Sequence, residues 1–252
     1  MGARAGEDRR IVVVMPAYNA ERTLQRTYDE LPHDIVDNVI LVDDASEDST
    51  VALARQLNLK VVVHRRNKGY GANQKTCYLE ALKDGATIIV MVHPDYQYDP
   101  KLLPDIITPI ENGLADVVLG SRMMGMSAYK QGMPWWKYVG NRLLTNLENA
   151  VFGMDLSEYH TGYRAYSREV LERLEFTDNS NGFIFDQEII AQIVENKYRI
   201  AEVPVPVRYF AEASSVGFVG SLIYGLGILN VLWRYLWRNR NVGRRAWNGL
   251  RR

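Results

Sequence analysis

Short apolar runs that alternate with helical patterns dominate the first 92 residues of this 252-residue chain. Each run is rich in β-branched residues and ends in a polar turn: residues 11–15, 39–42, 60–63 and 87–92. Strands alternating with helices at this spacing predict a parallel sheet with right-handed crossovers. A further strand is predicted at 116–119, and one or two at 199–207, where Pro204 and Pro206 suit an edge position. We therefore expect an α/β fold with a mostly parallel central sheet flanked by helices.

The totals exclude several classes of protein. Lys and Arg (30) balance Asp and Glu (30), so no global charge points to a nucleic-acid partner. The single cysteine, Cys77, excludes an internal disulfide and a cysteine-based zinc site, and its helical surroundings favour a packing role. Residues 1–10 are polar and charged, without the pattern of a signal peptide, and are predicted to be disordered.

Polar side chains follow three of the predicted strands: Tyr18, Asn19, Asp43, Asp44 and those of residues 93–97. The carboxyl ends of parallel strands share one edge of the sheet, which is where α/β proteins bind ligands. Acids at a strand end can accept hydrogen bonds from a ribose or a base. Gly69 and Gly71 would permit close backbone approach to a ligand. His33 and His64 are expected at the surface.

The turn after the fourth strand is rich in ligand-type side chains. His93, Asp95 and Gln97 alternate by two, so in an extended segment they share one face. This set suits a hard divalent cation that also holds phosphate oxygens. Asp99 precedes Pro100 and is predicted to start a helix.

Further candidates lie in the second half. Arg122 follows the strand at 116–119, where its guanidinium could bind phosphate or form a structural salt bridge. A Gly- and Met-rich loop is predicted at 123–133, and a helix at 135–152 carries Lys137 and Asn141 near its start. A later helical stretch, residues 183–194, carries Asp186 and Glu188.

The C-terminal region combines an apolar run with a basic tail. Residues 218–233 are apolar for about 16 residues, short of the roughly 20 that span a bilayer. Seven arginines and no acids follow between Arg234 and Arg252. Residues 216–252 are therefore predicted to form an amphipathic, membrane-associating segment suited to an anionic surface. The alternative is a helix packed on the core or on a second copy, giving a homo-oligomer.

Seven segments, in this order, resemble glycosyltransferase family 2 with the GT-A fold: VMPAYN at 14–19, LVDDAS at 41–46, NKGYGA at 67–72, DYQYDP at 95–100, GSR at 120–122, TGYR at 161–164 and EVP at 202–204. The resemblance is strongest to the dolichol-phosphate-mannose-synthase-like branch. It covers nearly the whole chain, with the GT-A domain expected at 11–215.

The resemblance implies a GDP- or UDP-linked sugar donor, a Mg²⁺ or Mn²⁺ ion and inversion at the anomeric carbon. The positions it assigns to the donor are Pro16, Tyr18, Asn19, Asp43, Asp44, Gly69, Lys75, Asp95, Gln97 and Arg208. The metal positions are His93, Asp95 and Gln97. His93 replaces the first aspartate of the family motif, and Ala20 stands where an acid is usual.

The resemblance also implies a polyprenyl phosphate acceptor, held at Arg122, Lys137 and Asn141. A phosphate oxygen is already anionic and needs no strong base. A hydroxyl on a saccharide or glycolipid would need one, and Glu188 or Asp186 would supply it. The catalytic candidates are Asp95, Arg122 and Glu188.

A third hypothesis, a nucleotide-sugar-binding protein without turnover, is motivated by His93 and Ala20. A lipid acceptor favours a cytoplasmic protein bound peripherally to the inner membrane face, because the tail would then reach the acceptor.

Overall fold

The computed structural model describes residues 9–124, 128, 132–206, 208 and 217–249; side chains at 218, 219 and 240–249 are outside that description. One seven-stranded sheet has the order β3-β2-β1-β4-β6-β5-β7. Its strands are β1 Ile11–Ala17, β2 Asn38–Asp43, β3 Lys60–Val63, β4 Ile88–Met91, β5 Val117–Ser121, β6 Arg164–Ser167 and β7 Ile200–Pro204. The predicted mostly parallel sheet is confirmed, with β7 at the edge.

Strand β6 is the antiparallel member of the sheet, and the sequence did not predict it. It pairs with both β4 and β5. Since β6 lies between them, the turn that leads into it is brought against the turn that follows β4.

Helices cover both faces of the sheet. They are α1 Leu24–Asp29, α2 Thr50–Gln56, α3 Tyr70–Lys83, α4 Leu103–Glu111, α5 Trp135–Phe152, α6 Arg168–Arg173, α7 Phe185–Glu195 and α8 Phe218–Gly249. Strand β1 shows why: its side chains alternate between two buried clusters, with Val12 and Val14 in one and Val13 and Met15 in the other. Each such buried side chain contributes about 1.5–3 kcal/mol.

Helix α8 packs on α5 and α7. Ile228, Val231 and Leu232 are buried, and the Tyr235 ring meets that of Phe152 at 4.9 Å between centroids. Among the described residues, no helix is both long enough and apolar enough to cross a membrane.

The termini and one loop fall partly outside the described residues. Residues 1–8 of the predicted disordered N-terminus lie there, whereas Arg9 pairs with Glu111 and the Arg10 guanidinium lies 2.7 Å from Asp84. In the predicted loop 123–133, residues 125–127 and 129–131 also lie outside the description.

Candidate active site

The turn after β4 is bent rather than extended. Tyr96 has a φ of 58°, in the left-handed region that non-glycine residues seldom adopt. The Gln97 amide group donates to Asp95 Oδ2 at 2.9 Å, and the Gln97 N–H to Asp95 Oδ1 at 3.1 Å. The segment is therefore not extended, yet His93, Asp95 and Gln97 still lie on one wall of the same cavity. Asp99 accepts from the Lys101 N–H, so its predicted helix-starting role is confirmed.

His93 lies between Tyr70 and Gly162. Its ring stacks on Tyr70 at 5.7 Å, and its Nε2 is 3.5 Å from the Tyr70 hydroxyl. A Cβ at position 162 would lie 2.8 Å from the imidazole, so this packing requires glycine there. Burial lowers the pKa of His93, which favours the neutral ring at pH 7.

The two acids at the end of β2, Asp43 and Asp44, each hold a nearby loop in place. Asp43 accepts from the Ser46 N–H at 2.9 Å. Asp44 accepts from the N–H groups of Lys68 and Gly69, each at 2.9 Å, and lies 2.7 Å from His64 Nδ1. His64 is buried, so its expected surface position is wrong. Donor binding by Asp43 and Asp44 stays a prediction.

Gly69 and Gly71 pack closely against the loop at residues 180–182 of the protein itself, not against space that a ligand could fill. Gly69 has a φ of 98°, and a Cβ there would lie 2.7 Å from the Asn181 carbonyl oxygen. The Gly71 N–H donates to the same oxygen at 2.8 Å. Lys75 also contacts this loop, donating to Asn181 Oδ1 at 3.0 Å.

The end of β1 completes this edge of the sheet. Pro16 is buried within the strand, whereas the Tyr18 ring is half exposed. Asn19 bridges to the next loop, since its side chain accepts from the Glu47 N–H at 2.9 Å. Tyr18 is thus the candidate here whose ring is presented to solvent.

Arg122 and Glu158 form a buried ion pair after β5. The Arg122 N–H donates to Glu158 Oε2 at 2.8 Å, and its guanidinium also reaches the His160 carbonyl at 2.6 Å. Asn141 donates to Glu158 Oε1 at 2.8 Å. Burial lowers the pKa of Lys137, and Arg122 lowers it further. Lys137 and Arg122 are thus close enough for their charges to interact, and two neighbouring cations suit an anionic ligand.

A cavity of about 600 Å³ is lined both by the turn after β4 and by the cations Arg122 and Lys137. It brings together six of the predicted residues: His93, Asp95, Gln97, Arg122, Lys137 and Asn141. Much of the rest of its wall comes from α5 and α8, including Leu143, Leu144, Leu226 and Leu229. Residues 217–249, predicted to be a separate segment, thus contribute directly to the site.

Arg208, Glu188 and Lys75 lie away from the cavity wall, as do the predicted donor residues described above: Pro16, Tyr18, Asn19, Asp43, Asp44 and Gly69. Arg208 contacts Asp99 at 2.8 Å. Glu188 accepts from the Ser180 N–H at 2.6 Å and pairs with Arg234 at 3.3 Å. Lys75 holds the loop described above. The structure does not bring any of them to the cavity wall.

Asp186 is buried beneath the cavity. It accepts from the Tyr70 hydroxyl at 2.8 Å and from Gln74 Nε2 at 3.2 Å, and it lies 3.4 Å from Arg164. These donors and this cation stabilise its charge. They make Asp186 a structural anchor for Tyr70 more than a base open to substrate.

The ligand set after β4 fits a hard cation in part. One carboxylate and one amide face the cavity, and such a cation takes further oxygen ligands from phosphates. His93 is held by Tyr70 and Gly162, and no group of three candidate His, Cys, Asp or Glu ligands occurs within the described ranges. The residues that would hold a metal are therefore Asp95 and Gln97, and ligation by His93 stays a prediction.

Sequence reasoning missed several residues of the cavity wall. Tyr70, Tyr98, Phe183 and Tyr224 all contribute to it. For the α5 part of the wall, the sequence did contain a signal. Apolar residues recur there every four positions, and the structure leaves them exposed: Trp135, Val139, Leu143 and Leu147. An exposed apolar stripe with helical spacing indicates a surface that contacts something apolar.

Residues 12–175 match the family described as Glycosyl transferase family 2, and the chain belongs to it. It is a glycosyltransferase with an α/β fold similar to GT-A structures. Glucosyl-3-phosphoglycerate synthase from Mycobacterium tuberculosis, solved with Mn²⁺, UDP and glucosyl-3-phosphoglycerate, superposes with a TM-score of 0.70. At 19% identity over 93% of this chain and 86% of that one, it shows the fold alone.

Curated relatives define the branch more closely. A Methanococcus voltae UDP-N-acetylglucosamine–dolichyl-phosphate N-acetylglucosaminyltransferase is 30% identical, covering 80% of this chain and 87% of the relative. The polyprenol monophosphomannose synthase of Mycolicibacterium smegmatis is 29% identical, covering 80% and 81%. A dolichyl-phosphate hexose transferase of Haloferax volcanii is 28% identical, covering 88% and 93%. The predicted dolichol-phosphate-mannose-synthase-like branch is thereby confirmed.

Proposed function

We propose that the protein transfers a hexose from a GDP- or UDP-linked donor to a polyprenyl phosphate, with inversion and with a divalent cation. One observation carries this proposal. The cavity joins Asp95 and Gln97 to Arg122 and Lys137 under a wall of apolar helix side chains. A donor diphosphate that carries a divalent cation matches the first pair, because the cation bridges the phosphate and carboxylate oxygens. A lipid-linked phosphate matches the second pair and the apolar wall.

The positions of the carboxylates favour a phosphate acceptor over a hydroxyl acceptor, which would need a free carboxylate as its base. Within the described part of the chain, Asp95 is the one carboxylate that lines the cavity. The alternative bases are engaged elsewhere, Asp186 with Tyr70 and Glu188 with Arg234. A phosphate oxygen needs no base, so the arrangement suits it.

In the proposed reaction, Arg122 and Lys137 hold the acceptor phosphate so that one oxygen attacks the anomeric carbon as the bond to the nucleoside diphosphate breaks. Positioning supplies much of the rate enhancement in such a step. A divalent cation bound at Asp95 and Gln97 would stabilise the negative charge that builds on the leaving diphosphate. Tyr18, Asn19, Asp43 and Asp44 would contact the nucleoside.

Peripheral membrane contact belongs to the same proposal, with the cytosolic face as its location. Exposed apolar side chains on α8 continue those of α5: Leu222, Ile223, Leu226, Leu229, Trp233, Leu236 and Trp237. Some of them, such as Leu226 and Leu229, also line the cavity, so the exposed surface leads into it. A lipid chain could therefore pass from the bilayer to Arg122 and Lys137 along this surface.

Not every arginine of the basic tail is available for lipid headgroups. Arg234 pairs with Glu188 at 3.3 Å, and Arg238 with Glu195 at 3.7 Å. These pairs help hold α8 on α7. The membrane contact is thus expected to depend more on the exposed leucines and tryptophans than on these two charges.

The test is transfer from a panel of radiolabelled GDP- and UDP-sugars into vesicles that contain polyprenyl phosphate, with Mn²⁺, Mg²⁺ or EDTA. Organic-extractable, acid-labile product that requires metal is expected and would name the sugar. Metal-dependent donor hydrolysis without lipid product would favour a hydroxyl acceptor. Donor binding with no turnover would favour the binding protein without activity.

A further inference from the structure

Tyr96 separates two residues of the cavity wall without belonging to it. Asp95 and Gln97 line the cavity, whereas the Tyr96 side chain does not and is 3% exposed because other side chains cover it. Its left-handed φ of 58° is unfavourable for a residue with a Cβ and persists only where neighbouring contacts hold it. The contacts of the ring should therefore explain the bend.

Two guanidinium groups stack on the Tyr96 ring. The Cζ atom of Arg26 lies 4.1 Å from the ring centroid and that of Arg208 lies 4.2 Å from it. The hydroxyl donates to Glu30 Oε1 at 2.5 Å. Cation–π contacts and a hydrogen bond to a carboxylate together fix the ring in position and orientation.

The charges around Tyr96 support this arrangement. Burial acts to raise the pKa of Glu30, but the Tyr96 hydroxyl and the cations Lys101, Arg208 and Arg26 lower it overall. Glu30 thus remains a charged acceptor.

Arg208 attaches to the same turn at two further points. Its N–H donates to the Gln97 carbonyl at 2.9 Å, and its guanidinium donates to Asp99 Oδ2 at 2.8 Å. Arg208 therefore contacts the turn at Gln97 and Asp99, which follow Tyr96 in the chain. The family resemblance assigns Arg208 to donor binding. Arg26 of helix α1 and Arg208 thus both contact the ring of Tyr96.

We propose that Tyr96 is a positioning residue: clamped by Arg26, Arg208 and Glu30, it holds the left-handed bend that turns Asp95 and Gln97 together toward the cavity. The inference rests on the proposed function in one respect, namely that these two side chains meet the donor diphosphate and its cation. The bend itself belongs to the free protein.

The experiment compares Tyr96→Leu, Tyr96→Phe and a matched control, Tyr28→Leu, which removes a half-buried ring on α1 that packs against His33. Calorimetry measures binding of UDP and of GDP with Mn²⁺. Tyr96→Leu should weaken nucleotide binding by about tenfold, since it removes both cation–π contacts and the hydroxyl. Tyr96→Phe should lose about threefold or less, and Tyr28→Leu should bind as wild type.

Hydrogen–deuterium exchange in metal-free protein supplies a second readout. Amides of residues 93–99 should exchange faster in Tyr96→Leu than in either other variant. If Tyr96→Leu does not fold, Arg26→Gln takes its place, because Arg26 is exposed and its loss removes one guanidinium. It should weaken binding by about threefold and speed exchange in the same segment.

Wild-type binding and unchanged exchange in Tyr96→Leu would overturn the inference. The proposed function fails separately: wild-type protein that binds Mn²⁺ and nucleotide but makes no lipid product disproves that function, while the variants still test Tyr96. If wild-type protein binds no nucleotide, the exchange comparison alone decides whether Tyr96 holds the bend.

Discussion

The two walls of the cavity are built differently. The wall at the sheet edge presents Asp95, Gln97 and Arg122 on turns anchored to buried strands. The opposite wall comes from α5 and α8. It carries Lys137 and Asn141, but most of it is apolar, and its side chains Leu143, Leu222, Leu226 and Leu229 are exposed. The first wall is organised before any ligand arrives, whereas the second presents apolar surface that a ligand or membrane would cover. Chemistry and lipid recognition can thus be disturbed separately.

The largest effect is expected at the sheet-edge wall. Asp95→Asn removes the carboxylate nearest the proposed donor diphosphate and should lower kcat for sugar transfer by about 10²–10³-fold. Steady-state transfer with saturating lipid acceptor measures it. Asp105→Asn, an exposed acid on α4, is the control and should match wild type. Equal activity of Asp95→Asn and wild type would contradict the role of this wall.

Arg122→Gln tests whether the same wall also binds the acceptor. It should raise KM for polyprenyl phosphate by about 10–100-fold, because a charge-assisted contact is lost. It should also lower the free energy of unfolding by about 3–5 kcal/mol, since Glu158 is left buried and unpaired. Urea unfolding and acceptor titration measure the two effects.

The double variant Arg122→Gln/Glu158→Gln separates them. Removing both charges should restore most of the stability but none of the acceptor binding. A double variant that regains wild-type KM would show that Arg122 acts only through Glu158.

The pH dependence of unfolding checks the same pair. Burial acts to raise the pKa of Glu158, but Arg122 and Asn141 hold it below its ordinary value of 4.5. A carboxylate with a lowered folded pKa stabilises the protein above its unfolded pKa and loses that contribution as pH falls through the folded pKa. Urea unfolding between pH 7 and 3 should therefore show a smaller acid loss in Glu158→Gln than in wild type.

The helical wall should respond differently. Trp135→Glu/Trp233→Glu changes two exposed side chains outside the cavity and should weaken binding to anionic vesicles by about tenfold. Vesicle co-sedimentation measures this, with nucleotide binding expected to stay unchanged. Vesicle binding equal to that of wild type would show that α5 and α8 face something other than a bilayer.

The smallest effect is expected from backbone strain at Ala45, in the loop after β2 that is proposed to contact the donor. Ala45 has a φ of 64°, and its Cβ makes this conformation costly. Ala45→Gly should raise the free energy of unfolding by up to about 1 kcal/mol, less the added entropy of the unfolded chain. Urea unfolding measures it. A fall in stability would mean that the Ala45 methyl group makes a packing contact worth more than the strain.

Sequence patterns correctly predicted those strands and helices that are defined by interactions between residues close in the chain. Strand β3 and helix α5 have the predicted bounds, because apolar runs and helical spacing define them. Strand β6 was missed because it begins with Arg164, a residue normally expected at the surface. Its guanidinium is 1% exposed and donates to the carbonyls of Tyr159 and Thr161.

The candidate site was predictable in its residue types but not in its contacts. The alternating residues 93, 95 and 97 were found from their spacing, and all three line the cavity, but the left-handed backbone of Tyr96 between them could not be predicted. His64 was misassigned because its partner Asp44 is twenty residues away. The contribution of α8 to the cavity could not be predicted, since it depends on packing against α5.

The position of α8 in the chain also has a consequence for biosynthesis. The strands and turns that bear Asp95 and Arg122 leave the ribosome long before residues 217–249 emerge. Because synthesis proceeds from the N-terminus, the residues of the sheet edge are available to fold while the apolar side of the cavity is still missing. The nascent protein would then acquire its nucleotide side first and its lipid side last, when α8 docks on α5 and α7.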